Sequence, residues 1–278
     1  MKKTLLLLVF LSVISCAPKL KSNIVKTLPA LDENTLVVVL SVVDEQKVSA
    51  ELIGEIKAID NGFSNNCSYY EGVKNLKILA RKAGANLVKI TKYKPANSLS
   101  TCDRLWANIY KVDNPKDYEK EITWSSNRKL TWDDFKGRPD TLQFPNALAV
   151  THSGFGYESS SISVFKNSKL FVQTVFNTDK SWVLPEGRND YVLKHEQIHF
   201  DITEIYSRIL RKALSDSNIT STASGKASAI FSTVFFDYKK RQQAYDEETK
   251  HGLKQETQEK WEAIVAIELA KYDFYKSN

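Results

Sequence analysis

Cysteine and histidine are scarce in this chain of 278 residues, with three of the first and four of the second. Cys67 and Cys102 stand far from every histidine in sequence, which leaves too few thiolates for a cysteine-rich zinc site. Long hydrophobic runs are missing as well. The apolar stretch from Leu5 to Ile14 is too short to span a bilayer as a stable helix. There are no internal repeats and no low-complexity tract. Basic residues are scattered along the chain among acids, so the formal charge of +6, to which Lys2 and Lys3 contribute, does not point to a nucleic-acid partner. What is present, 42% apolar and 26% charged residues, suits a globular protein with a real core.

The start, "MKKTLLLLVFLSVISC", has a short basic segment followed by an apolar one, the pattern of a secretory signal. "VISC" resembles a bacterial lipobox, which implies cleavage after residue 15 and lipid on Cys16. The alternative is an ordinary signal peptide with a stray cysteine. Ala17 at the second mature position, rather than Asp, points to outer-membrane sorting under the usual Gram-negative rule. More than one acyl chain gives stable anchoring. Residues 1–15 are therefore expected to be a lipoprotein signal peptide, and 16–34, without clear periodicity, a tether. In an oxidising compartment the remaining pair, Cys67 and Cys102, is expected to form a disulfide, worth roughly 3–4 kcal/mol for a loop of about 35 residues.

Residues 35–113 read as a small α+β module. "TLVVVLSV" (35–42) and "AELIGEIKAI" (50–59) have strand patterns, "SYYEGVKNLKILARKAGA" (68–85) has helical spacing ending near Gly84, and "NLVKITKY" and "RLWANIYKV" alternate. The module resembles small disulfide-containing domains of bacterial envelope lipoproteins and is read as a structural or interaction domain with an envelope protein as its possible partner. "DNPKDYEKEITWSSNR" (113–128) reads as a linker. Beyond it, Thr131 can cap a one-turn helix at Trp132–Phe135, and strands are expected within 147–157, 160–165 and 169–176. Helices follow at 189–214, 227–250 and 257–274.

The chemistry sits in "LKHEQIHFDITEIYSR" (193–208). Residues four apart share one helix face, so His195 and His199 can hold one ion while Glu196 lies beside it as a general base. Ile198, Ile202, Ile205 and Ile209 recur at helical spacing, so the helix packs into a core whether or not it binds metal. The third ligand is open on these grounds. Position 205 is Ile, so the extended pattern with a third histidine is absent. Asp201 and Glu204 project about 160° and 140° away from His199 on the helix and read as solvent-facing residues or as carboxylates orienting an imidazole. His251 near a helix end, Glu247 or Glu248, and His152 remain candidates, with His152 read as a surface residue.

"LTWDDFKGRPD", "SGFGY", "SWV", "LKHEQIHFDITEIYSRIL" and "YDEETKHG…QEKW" together resemble the bacterial domain-of-unknown-function family 922, described as predicted secreted zinc-dependent proteases. The resemblance covers about 124–265. It implies a zincin-like domain over 124–278 with an antiparallel sheet and long C-terminal helices. It also implies one Zn2+ on His195 and His199, Glu196 as the base, and His251 as the preferred third ligand. Trp132, Asp133, Asp201, Glu204, Tyr245 and Asp246 become candidates for the wall of the site, and Tyr206 and Tyr245 for stabilising an oxyanion. The activity so implied is a zinc metallopeptidase acting on peptide or protein. The alternatives are a non-catalytic, zinc-stabilised binding lipoprotein and a zinc amidase acting on peptidoglycan.

Overall fold

The computed structural model describes residues 18–60, 67–97, 100, 102–159, 170–219 and 224–277. The expected signal segment, Cys16, Ala17 and the strand expected at 160–165 lie outside them. The chain divides into two compact units, with the division between Asp113 and Asn114.

The first unit is α+β. Its strands are β1 (Lys19–Ile24), β2 (Val38–Leu40), β3 (Leu52–Ile59), β4 (Leu87–Lys94) and β5 (Arg104–Tyr110), in the order β1-β3-β5-β4-β2. Only β2 and β4 run parallel. Helix α1 (Tyr69–Lys82) covers one face, burying Leu76 and Ala80 against Ile56, Ile90, Leu105 and Ala107. Ser68 starts it with a reciprocal cap: its hydroxyl accepts from Glu71 N while Glu71 Oε2 accepts from Ser68 N. At the other end Gly84 adopts φ +78°, where a Cβ would lie 2.6 Å from Pro29 O. Cys67 and Cys102 are joined, so a disulfide ties the residue before the α1 cap to the start of β5.

Lys19–Ile24, expected within a tether, is instead an edge strand paired along β3. All six residues are exposed, so no buried face marks them; their place is set by pairing along β3. The valine-rich run at 35–42 contributes only Val38–Leu40.

The second unit is also α+β. Strands β6 (Glu121–Thr123), β8 (Ser153–Ser159) and β9 (Leu170–Asn177) form an antiparallel sheet in the order β6-β9-β8, and β7 (Ala149–Val150) pairs with β10 (Trp182–Val183). The polar segment at 113–128 is thus more than a connection, since it supplies β6. Three helices follow: α2 (Asp190–Asp216), α3 (Ser224–Thr249) and α4 (Gln255–Lys271). Ile198, Ile202 and Ile205 of α2 share one apolar cluster with Phe155 and Val172 of the sheet and with Tyr238, Tyr245, Trp261 and Val265 of α3 and α4. Phe200 packs on the opposite side with Phe176 and Trp124. Helix α2 is therefore central, and side chains on it are held from every direction. Among the described residues, no helix is long and apolar enough to cross a membrane.

Candidate metal centre

Asn189 caps α2 by accepting from Val192 N at 3.0 Å, fixing where the first turn begins. One and a half turns later His195 and His199 come into line, with their Nε2 atoms 3.2 Å apart. Asp246, near the end of α3, completes a triangle: its Oδ1 is 3.3 Å from His195 Nε2 and 3.1 Å from His199 Nε2. Three ligands bound tetrahedrally to zinc at about 2.0–2.1 Å stand roughly 3.3–3.4 Å from one another. The triangle therefore has the edge lengths of a zinc site's protein face. Among the described residues these three form the only group of metal-ligating side chains found so close together.

The orientation of both imidazoles is set from behind by two glutamines. His195 Nδ1 is 3.1 Å from Gln258 Oε1 on α4, and His199 Nδ1 is 2.6 Å from Gln242 Oε1 on α3. Gln258 Nε2 donates to Tyr191 O at 3.3 Å, and Gln242 Nε2 donates to His199 O at 2.9 Å. A backbone carbonyl only accepts, so each amide oxygen must face its ring. Both Nδ1 atoms then carry hydrogens, and both Nε2 atoms point into the triangle, each offering a lone pair once its ring is neutral. This is the work that sequence geometry assigned to a carboxylate, done by neutral amides.

Tyr245 and the turn after α3 form the wall. The Tyr245 ring stacks on His195 with centroids 4.6 Å apart and planes 23° from parallel. Lys250, His251 and Gly252 then adopt φ values of 50°, 53° and 80° in succession. This left-handed run brings Gly252 against the His195 ring, where a Cβ would sit 3.3 Å from Nδ1. Tyr191 donates its hydroxyl hydrogen to Gly252 O, which closes the wall.

Electrostatics follow from this crowding. Burial alone would lower the His199 pKa. The hydrogen bond and charge of Asp246, then the charge of Glu196 and the Gln242 hydrogen bond, outweigh burial and raise it from 6.5 to about 9. Burial likewise pushes the Asp246 carboxyl up, but hydrogen bonds from both histidines and their charges hold it well below the usual carboxylate range. Glu196 is 4% exposed, and its Oε2 has no hydrogen-bond partner within the chain. An unpartnered buried carboxylate oxygen beside a converging donor set is what an ion with a coordinated water would satisfy. Two imidazole nitrogens and one carboxylate oxygen form a donor set that suits zinc.

The other expected site residues lie elsewhere. His251 Nδ1 is 3.7 Å from Asp246 Oδ1, but its side chain is 70% exposed, and it stands at the rim outside the triangle. Asp201 is buried, not solvent-facing, and accepts from Trp124 Nε1 at 2.7 Å and Gln197 Nε2 at 2.8 Å. Glu204 is buried too, paired with Arg208 and Arg211. Neither touches an imidazole: packing around a central helix buries the sides that face away from the histidines. Tyr206 packs edge-on against Tyr238, and Tyr245 turns its hydroxyl to His195 O at 3.4 Å, so neither phenol faces the triangle. Glu247 accepts from Gln243 and Glu248 from Trp261. His152 is exposed, outside the donor cluster, and receives Asn177 N at its carbonyl. Trp132 packs on Phe135 and Asp133 is exposed, while their segment is pinned to α2 where Leu130 N donates to Gln197 Oε1 at 2.8 Å.

Gln242 and Gln258 carried no signal of their own. The one available was spacing, since Gln242 and Asp246 are four apart on one helix and must share a face.

No curated protein and no solved structure matches the chain. Residues 178–252, which carry His195, Glu196, His199, Gln242 and Asp246 and stop at Gly252, match the family model described as a bacterial protein of unknown function, DUF922.

Proposed function

We propose that the protein is a zinc-dependent hydrolase of peptide bonds, exported and held at the cell envelope by lipid on Cys16. The observation that carries the reading is the triangle of His195, His199 and Asp246, with edges of 3.1–3.3 Å, beside the unpartnered oxygen of Glu196. Zinc bound there would act as a Lewis acid and bring the pKa of its water toward about 7. Glu196 would take the proton at Oε2 and later hand it to the departing amine. Gln242 and Gln258 keep the Nε2 lone pairs aimed inward, and Asp246 fixes the third corner. His251, exposed at the rim beside Asp246, would be the imidazole left to approach a bound substrate.

The test is Glu196→Gln. It should retain one zinc per chain while hydrolysis of an unfolded protein such as casein falls by about a hundredfold to ten-thousandfold. Equal activity in the variant would reject this mechanism. Zinc retention with no hydrolysis by either form would favour the non-catalytic, zinc-stabilised lipoprotein. Release of fragments from purified cell wall but not from casein would favour the peptidoglycan amidase.

A further inference from the structure

Basic residues that are dispersed along the sequence are gathered by the first unit's sheet. Helix α1 covers the face bearing Ile56, Ala107 and Ile90. Strand alternation turns the next residues to the opposite face. There the registers Lys21↔Lys57, Lys57↔Trp106 and Lys92↔Trp106 align Lys21, Lys57, Trp106 and Lys92 in one row across β1, β3, β5 and β4. Two residues along each strand, the neighbouring row carries Lys19, Ile59, Arg104 and Lys94. At about 4.8 Å between strands, six cations fall within an area about 14 Å wide. No acid occupies either row; the nearest on these strands is Glu55, whose Oε2 is 3.9 Å from Lys57 Nζ. Lys19, Lys21, Lys92 and Lys94 are exposed. Lys92 Nζ lies over the Trp106 ring, 5.1 Å from its centroid, and the two help line a groove of about 300 Å³.

We propose that this open sheet face, centred on Lys57, Trp106 and Lys92, rests on the anionic phospholipid surface to which Cys16 anchors the chain. The inference builds on the lipid-anchor reading above. Because β1 starts at Lys19, only Ala17 and Pro18 separate the sheet from Cys16, a reach of at most about 11 Å. That is close to the Debye length of about 8 Å at physiological ionic strength, so headgroup phosphates lie within range of both rows. A tryptophan among lysines also suits a membrane–water interface, where amphipathic rings and cationic heads are both accommodated. A long tether would have freed the unit from the surface; the edge strand removes that slack.

The test uses the mature chain with Cys16→Ser, which carries no lipid, in co-sedimentation with vesicles. Binding is expected to vesicles containing phosphatidylglycerol, to be absent with phosphatidylcholine alone, and to weaken with salt. Replacing Lys21, Lys57 and Lys92 together by Gln should cut partitioning on the order of a hundredfold, about fivefold for each lysine. Replacing Lys226, Lys260 and Lys271 of the second unit by Gln removes the same net charge and should have little effect. Unchanged thermal unfolding of both triple variants shows that the fold is kept. Equal loss in both triples, equal binding to neutral vesicles, or capture by heparin without vesicle binding would each overturn the proposal. The mass of the native N-terminal peptide reads the anchor separately. An unlipidated Cys16 defeats the anchor reading, whereas lost vesicle selectivity defeats only the inference about the face.

Discussion

Asp246 Oδ1 and His251 Nδ1 lie 3.7 Å apart, yet only the carboxylate belongs to the group of donors that converge. The two side chains should therefore separate under mutation. Asp246→Ala is expected to weaken zinc binding by on the order of a hundredfold or more, measured by competition with a chromophoric chelator. His251→Ala should leave zinc affinity within a few-fold and lower peptide hydrolysis instead. The reverse pattern would make the histidine the third ligand.

The glutamines behind the rings should matter almost as much as the ligands. Gln242→Leu and Gln258→Leu each remove the acceptor that holds an imidazole N–H. Each is expected to cost about 10–100-fold in metal affinity. Glutamate at either position should restore affinity, because a carboxylate also accepts from Nδ1.

The metal-free protein should show an unusual dependence on pH. His199, raised from 6.5 to about 9, contributes stability that is complete below pH 6.5 and is lost as pH rises through about 9. Asp246, held below its ordinary 3.8, contributes stability present above that value and lost as pH falls toward its folded value. In chelator, the cluster's stabilisation should be greatest between about pH 4 and 6.5, with Tm declining from there to pH 9. Asp246→Asn should flatten that decline. Zinc has the opposite trend: it must displace the His199 proton, so the rise in Tm on adding zinc should grow from pH 5.5 to 8.

Reduction of the Cys67–Cys102 disulfide should act on the first unit only. A sequence separation of 35 corresponds to about 3–4 kcal/mol on the chain-entropy estimate. A reductant, or Cys67→Ser with Cys102→Ser, should lower the unfolding transition of that unit while zinc binding to the second is unchanged.

How much of this was legible in the sequence depended on how local the physics was. His195, Glu196 and His199 could be placed because helical spacing alone puts two imidazoles on one face. Asp246 was visible only as a wall residue, since its role depends on α3 docking against α2. Gln242 and Gln258 were invisible, because an amide acquires a purpose only from what it faces across 43 and 63 residues. Lys19–Ile24 was misread because an exposed edge strand owes its place to the neighbouring backbone rather than to its own side chains.

The donors come from α2 and α3 and the orienting amides from α3 and α4, so the centre has no existence in an unpacked chain. An ion there works as a clasp that closes only after three helices have met. If the chain crosses a membrane unfolded, it arrives without metal. Under the function proposed above, its zinc would then come from the compartment where it folds, and scarcity of zinc there would leave a folded but inactive protein.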